Sequence, residues 1–169
     1  IGSGNIGGIA VFGRNSDTNQ SIIIVATGEG DTGIPGVGFL ISQDGGWSVE
    51  EAVTAARALT ADGPLEYVEQ PCTTVPELAE VRRRIGVPVA ADESIRKAED
   101  PLRVRDLEAA DLVVVKVAPL GGVRAALFVV EACGLPAVVS SALDTSVGIS
   151  AGVALAAALP SLEHACGLG

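Results

Sequence analysis

From Ser48 onward the apolar positions recur with the period of an amphipathic helix, then give way at regular intervals to short unbroken apolar runs. Val49, Ala52, Val53, Ala56 and Leu59 form one helical stripe, with Ser48 and Glu51 as a capping box in front of it. Residues 65–70 follow as a strand. Thr74 with Glu77 makes a second capping box, opening a helix that carries Leu78, Val81 and Ile85 on one face and stops at Gly86. Residues 87–91 are the next strand, and Asp100-Pro101 gives an N-cap and a first-turn proline for a helix running to about residue 109. Residues 112–117 form a third strand, 123–133 a helix closed by Gly134, 135–140 a fourth strand, and 147–159 a helix of small residues.

Strands thus begin near residues 65, 87, 112 and 135. Alternation at this pitch predicts right-handed βαβ crossovers and a parallel sheet. The expected fold class is α/β, a partial (β/α)8 barrel of TIM type, with an open doubly wound sheet as the alternative. A complete barrel takes at least roughly 200 residues, against 169 here. The texture changes near residue 42. Residues 1–41 are rich in Gly, Ile, Ser, Asn and Thr, lack helical periodicity and contain two β-like runs, at 9–12 and 21–26. They read as an irregular β-like segment, and residues 42–169 as the barrel portion.

The chain is 48% hydrophobic but only 3% aromatic, so its core must be built from Val, Leu, Ile and Ala. A net charge of −10 repels phosphate backbones and anionic headgroups, which argues against nucleic acid and membrane surfaces as partners. No apolar run reaches the ~18 residues of a membrane span, and no signal-peptide pattern is present. Cys72, Cys133 and Cys166 form no CxxC pair, so a cytoplasmic, reducing setting is expected. Open sheet edges in an incomplete barrel lead us to expect self-association.

In parallel α/β folds the reacting groups gather at the C-terminal ends of strands. Here those ends hold Glu69, then Asp92, then Lys116 followed by Gly121-Gly122, then Ser140-Ser141 and Asp144. Carboxylates on successive strand ends suit a hard cation such as Mg²⁺. A lysine one strand further on suits acid–base work or stabilisation of an anion. Any one of these alone reads more readily as a polar strand cap; Glu69, Asp92 and Lys116 in register on three consecutive units favour a site.

Other signals carry less. Gly2 to Gly7 matches the G-x-G-x-x-G dinucleotide fingerprint, but only Ile1 precedes it and Gly13, Asn15 and Asp17 spoil a following helix, so a Gly-rich lead-in is expected. His164 with Cys166 is a conceivable nucleophile pair without further support, and a packed or capping histidine is expected. Trp47 reads as a packing anchor, Cys72 and Cys133 as small buried hydrophobes, and Arg82-Arg83-Arg84 as a solvated helix face.

The runs Asp44-Gly45-Gly46-Trp47-Ser48, Glu69-Gln70-Pro71-Cys72, Ala91-Asp92-Glu93-Ser94, Lys116 to Gly122, Ser140 to Gly148 and His164 to Gly169 occur in this order. Together they resemble the o-succinylbenzoate synthases of actinobacterial type, in the enolase superfamily, over about residues 44–169. That resemblance implies a (β/α)8 barrel with a capping domain, the latter without a counterpart in this sequence. It implies Mg²⁺-assisted removal of a proton α to a carboxylate, followed by loss of water, in menaquinone biosynthesis. Glu69 and Asp92 would be metal ligands with Asp44 as a third, and Lys116 would lie over the intermediate. Ser140 and Ser141, with Gly121 and Gly122, would hold a small-molecule carboxylate substrate. Two departures stand out. The family's Asp-x-Asn before Gly-Gly-Trp falls here on Ser42 and Asp44, and no lysine precedes residue 42 where the family has Lys-x-Lys. Turnover is therefore expected to be impaired. The alternatives are a non-catalytic, truncated or recombined barrel fragment and an N-succinylamino acid racemase.

Overall fold

The protein is described by a computed structural model, in which residues 9–10, 25–26, 47–62, 65–97 and 100–168 are described. Two compact units divide the chain, Ile1–Val89 and Ala90–Gly169.

In the first unit, β1 (Ile9–Ala10) and β2 (Val25–Ala26) pair antiparallel, with Ile9 opposite Ala26. Both strands lie inside the predicted β-like runs. The glycine-rich fingerprint at 2–7, the remainder of those runs and Asp44 lie outside the described residues. Helix α1 (Val49–Asp62) starts at the predicted capping box, where the Ser48 N–H donates to Glu51 Oε2 at 2.9 Å and the Glu51 N–H donates to Ser48 Oγ at 3.3 Å. Ala56, Val68 and Val87 form a buried cluster against which Trp47, Leu59, Leu65 and Ile85 pack, so Trp47 is a packing anchor. Strand β3 is only Val68–Glu69. The Val68 N–H donates to Pro88 O at 2.8 Å, and Pro88, just before β4, has no N–H of its own to give to the ladder.

Helix α2 (Val75–Arg84) has Thr74 as N-cap with the reciprocal Glu77 bonds, and buries Val75, Leu78, Ala79 and Val81. Its arginines lie at the surface, where Arg83 pairs with Glu80 at 2.8 Å. Arg84 reaches Glu50 on α1 through Nη1 at 2.6 Å and Nη2 at 2.8 Å, which lowers the Glu50 carboxyl below its ordinary range.

The second unit is a parallel α/β arrangement. Strand β4 (Val89–Ala91) leads into it, and Ala90 and Ala91 pair with Leu112 and Val113 of β5 (Leu112–Val115). Beyond it, β5 pairs with β6 (Ala137–Val139), Val115 lying opposite Val139. Every residue of these strands is buried. Ser140 extends the ladder through a parallel bridge to Gly167. Helices α3 (Asp100–Asp106), α4 (Val117–Leu120), α5 (Val123–Cys133) and α6 (Ser146–Ala158) alternate with the strands; α5 packs against α3, α4 and α6.

Local chemistry explains where the elements differ from expectation. Strand β6 starts at Ala137 because Pro136 lacks an N–H; its carbonyl accepts from Val113 at 2.9 Å. Strand β5 stops at Val115 because the chain turns into the one-turn α4. Helix α3 ends at Asp106, where Glu108 adopts φ 49 and the Ala109 N–H folds back to Val104 O. Among the described residues no helix is long and apolar enough to cross a membrane.

Candidate active site

The parallel register decides which side chains meet at the C-terminal end of the second unit's sheet. One step beyond the Val115–Val139 pair stand Lys116 and Ser140, and the Ser140 N–H donates to Val115 O at 3.0 Å. Lys116 is the N-cap of α4 and still has extended backbone. Its side chain is 16% exposed and its ammonium donates to Asp92 Oδ2. Asp92 follows β4 at the head of a 3₁₀ turn, Glu93–Ile95, and is 3% exposed. Its other oxygen, Oδ1, accepts from Arg96 Nη2 at 3.1 Å, and Arg96 also donates to Glu93 at 2.9 Å. Ile95, Val114, Pro119 and Leu120 line the hollow around these groups.

The remaining candidates are placed as follows. Glu69, at the end of β3 in the first unit, is buried. Gln70 beside it is held at φ 39, and its Nε2 donates to Cys72 O at 2.8 Å. Gly121 (φ 87) and Gly122 (φ 129) occupy backbone that side-chain-bearing residues rarely adopt. Their N–H groups donate to Ala118 O and Val117 O, closing α4. Their role is thus to let the chain turn sharply beside Lys116. The Ser140 hydroxyl lies 3.4 Å from both Ser141 O and Gly167 O, and the Ser141 N–H donates to Gly167 O at 2.9 Å. His164 and Cys166 are partly buried just before this bridge.

The unit therefore brings together Lys116, Asp92 and the Ser140–Ser141 strand end. Arg96 is absent from the sequence-based candidates. Its signal was the i, i+4 spacing from Asp92 across a short helical turn.

Oxygen donors such as Glu69 and Asp92 are of the kind Mg²⁺ takes. As folded, however, both oxygens of Asp92 hold side-chain cations, and among the described residues no three of His, Cys, Asp and Glu gather as a metal set. This arrangement does not fit a divalent ion without displacement of Lys116 or Arg96.

Buried parallel strands alternating with helices, with a carboxylate and a lysine on neighbouring strand ends, define an α/β unit of the barrel-enzyme type. The chain belongs to the enolase C-terminal domain-like family, whose profile matches residues 32–168. The o-succinylbenzoate synthase of Thermobifida fusca is 70% identical over 128 residues, covering 76% of this chain and 40% of that protein. The chain thus spans about two fifths of the length of the curated relatives it matches. Among solved structures, a dipeptide epimerase from Enterococcus faecalis complexed with Mg and the dipeptide L-Leu-L-Tyr superposes with TM-score 0.69 at 28% identity, over 80% of this chain and 39% of that one. An N-succinyl Arg/Lys racemase from Bacillus cereus superposes with TM-score 0.65 at 26% identity, over 71% of this chain and 34% of that one.

Proposed function

We propose that the chain carries the later βα units of a lyase of the o-succinylbenzoate synthase type, a dehydratase of menaquinone biosynthesis. The observation that carries this reading is the Lys116 ammonium, partly buried at the end of β5 in register with Ser140, one step beyond the Val115–Val139 pair. The reaction removes a proton α to a carboxylate and then expels hydroxide. An ammonium in a sparsely solvated hollow lowers the cost of the anionic intermediate, since electrostatic stabilisation strengthens where water is excluded. Ser140 and Ser141 would hold a substrate carboxylate through their hydroxyl groups, with the Gly121-Gly122 turn leaving room beside Lys116. Magnesium at Glu69 and Asp92, with Asp44 as a third ligand, is implied by the family and enters no step here.

Turnover by this chain is expected to be poor. Its only lysines are Lys97 and Lys116, so a second lysine on the opposite face of the substrate is lacking. Loss of a general base typically costs ~10²–10⁴-fold. The test is a continuous assay for loss of the precursor with Mg²⁺ supplied, alongside calorimetric titration of the product, o-succinylbenzoate. We expect rates well below the ordinary ~1–10³ s⁻¹ and measurable product binding that Lys116→Ala removes. Ordinary turnover would refute the impairment, and product binding unchanged in Lys116→Ala would remove Lys116 from the site.

Racemisation of an N-succinyl amino acid is the second reading, favoured by the likeness to the Bacillus cereus racemase. It begins with the same proton removal but returns the proton to the other face. Polarimetry on an N-succinyl amino acid separates the two, because only the racemase reading predicts decay of optical rotation without loss of water.

A further inference from the structure

A carboxylate as buried as Asp92, 3% exposed, needs partners for both oxygens. The chain itself supplies them, Arg96 on Oδ1 and Lys116 on Oδ2, and Arg96 is shared with Glu93. In these contacts two carboxylates, Asp92 and Glu93, face two cations, Arg96 and Lys116. Their surroundings, Ile95, Val114, Pro119 and Leu120, are apolar. A divalent cation on Asp92 would add two positive charges beside an ammonium and a guanidinium that share the same carboxylate. Salt screens such a partly buried cluster only weakly.

We propose that Lys116 is the resident cation of Asp92, occupying the place a metal ion would take, so that a divalent ion and the Asp92-bound ammonium exclude one another. A divalent ion reaches Asp92 only when Lys116 swings away, and linkage makes the effect reciprocal: whatever holds Lys116 on Asp92 weakens the metal by the same factor. This inference stands independently of the lyase reading, because it concerns binding and requires no turnover.

The experiment is a Mn²⁺ titration of the full chain followed by water-proton relaxation. Wild type, Lys116→Met and the double variant Lys116→Met/Asp92→Asn are compared, with circular dichroism to confirm folding. Wild type is expected to bind no tighter than about 1 mM, the range of weak carboxylate sites. Lys116→Met should bind at least roughly tenfold tighter, since one contact charge has been removed, and the double variant should lose that gain. Three results would each overturn the proposal: equal binding by wild type and Lys116→Met, no binding by either, or a gain that survives Asp92→Asn. A second measurement needs no variant. Trinitrobenzenesulfonate labelling read by peptide mass spectrometry compares Lys116 with the exposed Lys97 in the same molecule. Lys116 should label slowly without metal and faster, relative to Lys97, as millimolar Mn²⁺ is added; an unchanged ratio while Mn²⁺ is bound would overturn the proposal.

Discussion

Gly148 lies so close to Asp144 that a β-carbon on it would stand 2.7 Å from the Asp144 β-carbon and 3.0 Å from its carboxyl carbon. Asp144 in turn accepts a hydrogen bond from the Ala142 N–H at 3.1 Å, with Leu143 between them held at φ 57. The first turn of α6 is thereby locked to the loop leaving Ser140 and Ser141.

Gly148→Ala tests it. In a free helix the change would stabilise by ~1 kcal/mol through propensity. Here the clash reaches the Asp144 β-carbon, which cannot move without its backbone, and overpacking of this kind costs about 1–3 kcal/mol. We expect a net loss of stability, read as a lower Tm. A raised Tm would show that the loop yields freely.

Thr74→Ala removes the hydroxyl that caps α2, which accepts from the Glu77 N–H at 3.4 Å and donates to Glu77 Oε2 at 2.7 Å, and leaves that carboxylate only its bond from the backbone N–H of residue 74. The expected cost is about 1 kcal/mol, seen in denaturant or thermal unfolding. Thr74→Ser should restore most of it, since the hydroxyl returns; failure of that rescue would assign the loss to the missing methyl group instead.

Such caps were legible because they are local: Thr74 and Glu77 are three residues apart, as are Ser48 and Glu51, and their bonds follow from that spacing. The strand ends carrying Asp92, Lys116 and Ser140 were legible from the repeat of strand and helix. What hydropathy could not show was strand length, which Pro136 limits for β6 by withholding an N–H. Nor could it show side-chain capture. Arg96 takes one oxygen of Asp92 only because the chain enters a 3₁₀ turn at Glu93, a choice made by tertiary packing. The same holds for Gly121 and Gly122: the motif named them, and only the backbone shows that their N–H groups close α4.

Buried thiols predict a pH dependence. Burial pushes Cys72 from the ordinary 9.0 up to about 12, with the charges of Glu77 and Glu51 adding to it. Burial likewise raises Cys133 to about 11, with Arg105 opposing. In the folded chain both stay protonated over a range where the unfolded chain forms thiolate. The unfolded state therefore loses protons first, and stability falls as pH rises from about 9 towards these raised values. Between pH 8 and 10, Cys72→Ala should show a shallower decline in unfolding free energy than wild type. Equal slopes would show that Cys72 ionises normally in the folded chain. Iodoacetamide at pH 8 should modify Cys166, which is partly exposed, well before either buried thiol.

The last prediction concerns self-association. Helix α6 reads SVGISAGVALAAA, without a charged residue on any face. A helix apolar all round is normally covered all round, yet Val147 is 78% and Val153 55% exposed, with Leu143 just before the helix and Phe128 on the neighbouring α5 also exposed. A second copy is the expected occupant. The chain carries a net charge of −10, so copies repel over most of their surface and can meet closely only where charge is absent. Two consequences follow from that physics. Association should strengthen with added salt, because screening weakens the repulsion without weakening apolar contact. It should also fail when charge is placed on the helix, as in Val147→Asp/Val153→Asp, both sites being exposed and so tolerant of the change. Light scattering across concentration and salt is the measurement: wild type should exceed the 17.0 kDa of one chain and grow with salt, and the double variant should return to it. A wild-type mass of one chain at every concentration and salt would show that α6 is not a contact between copies.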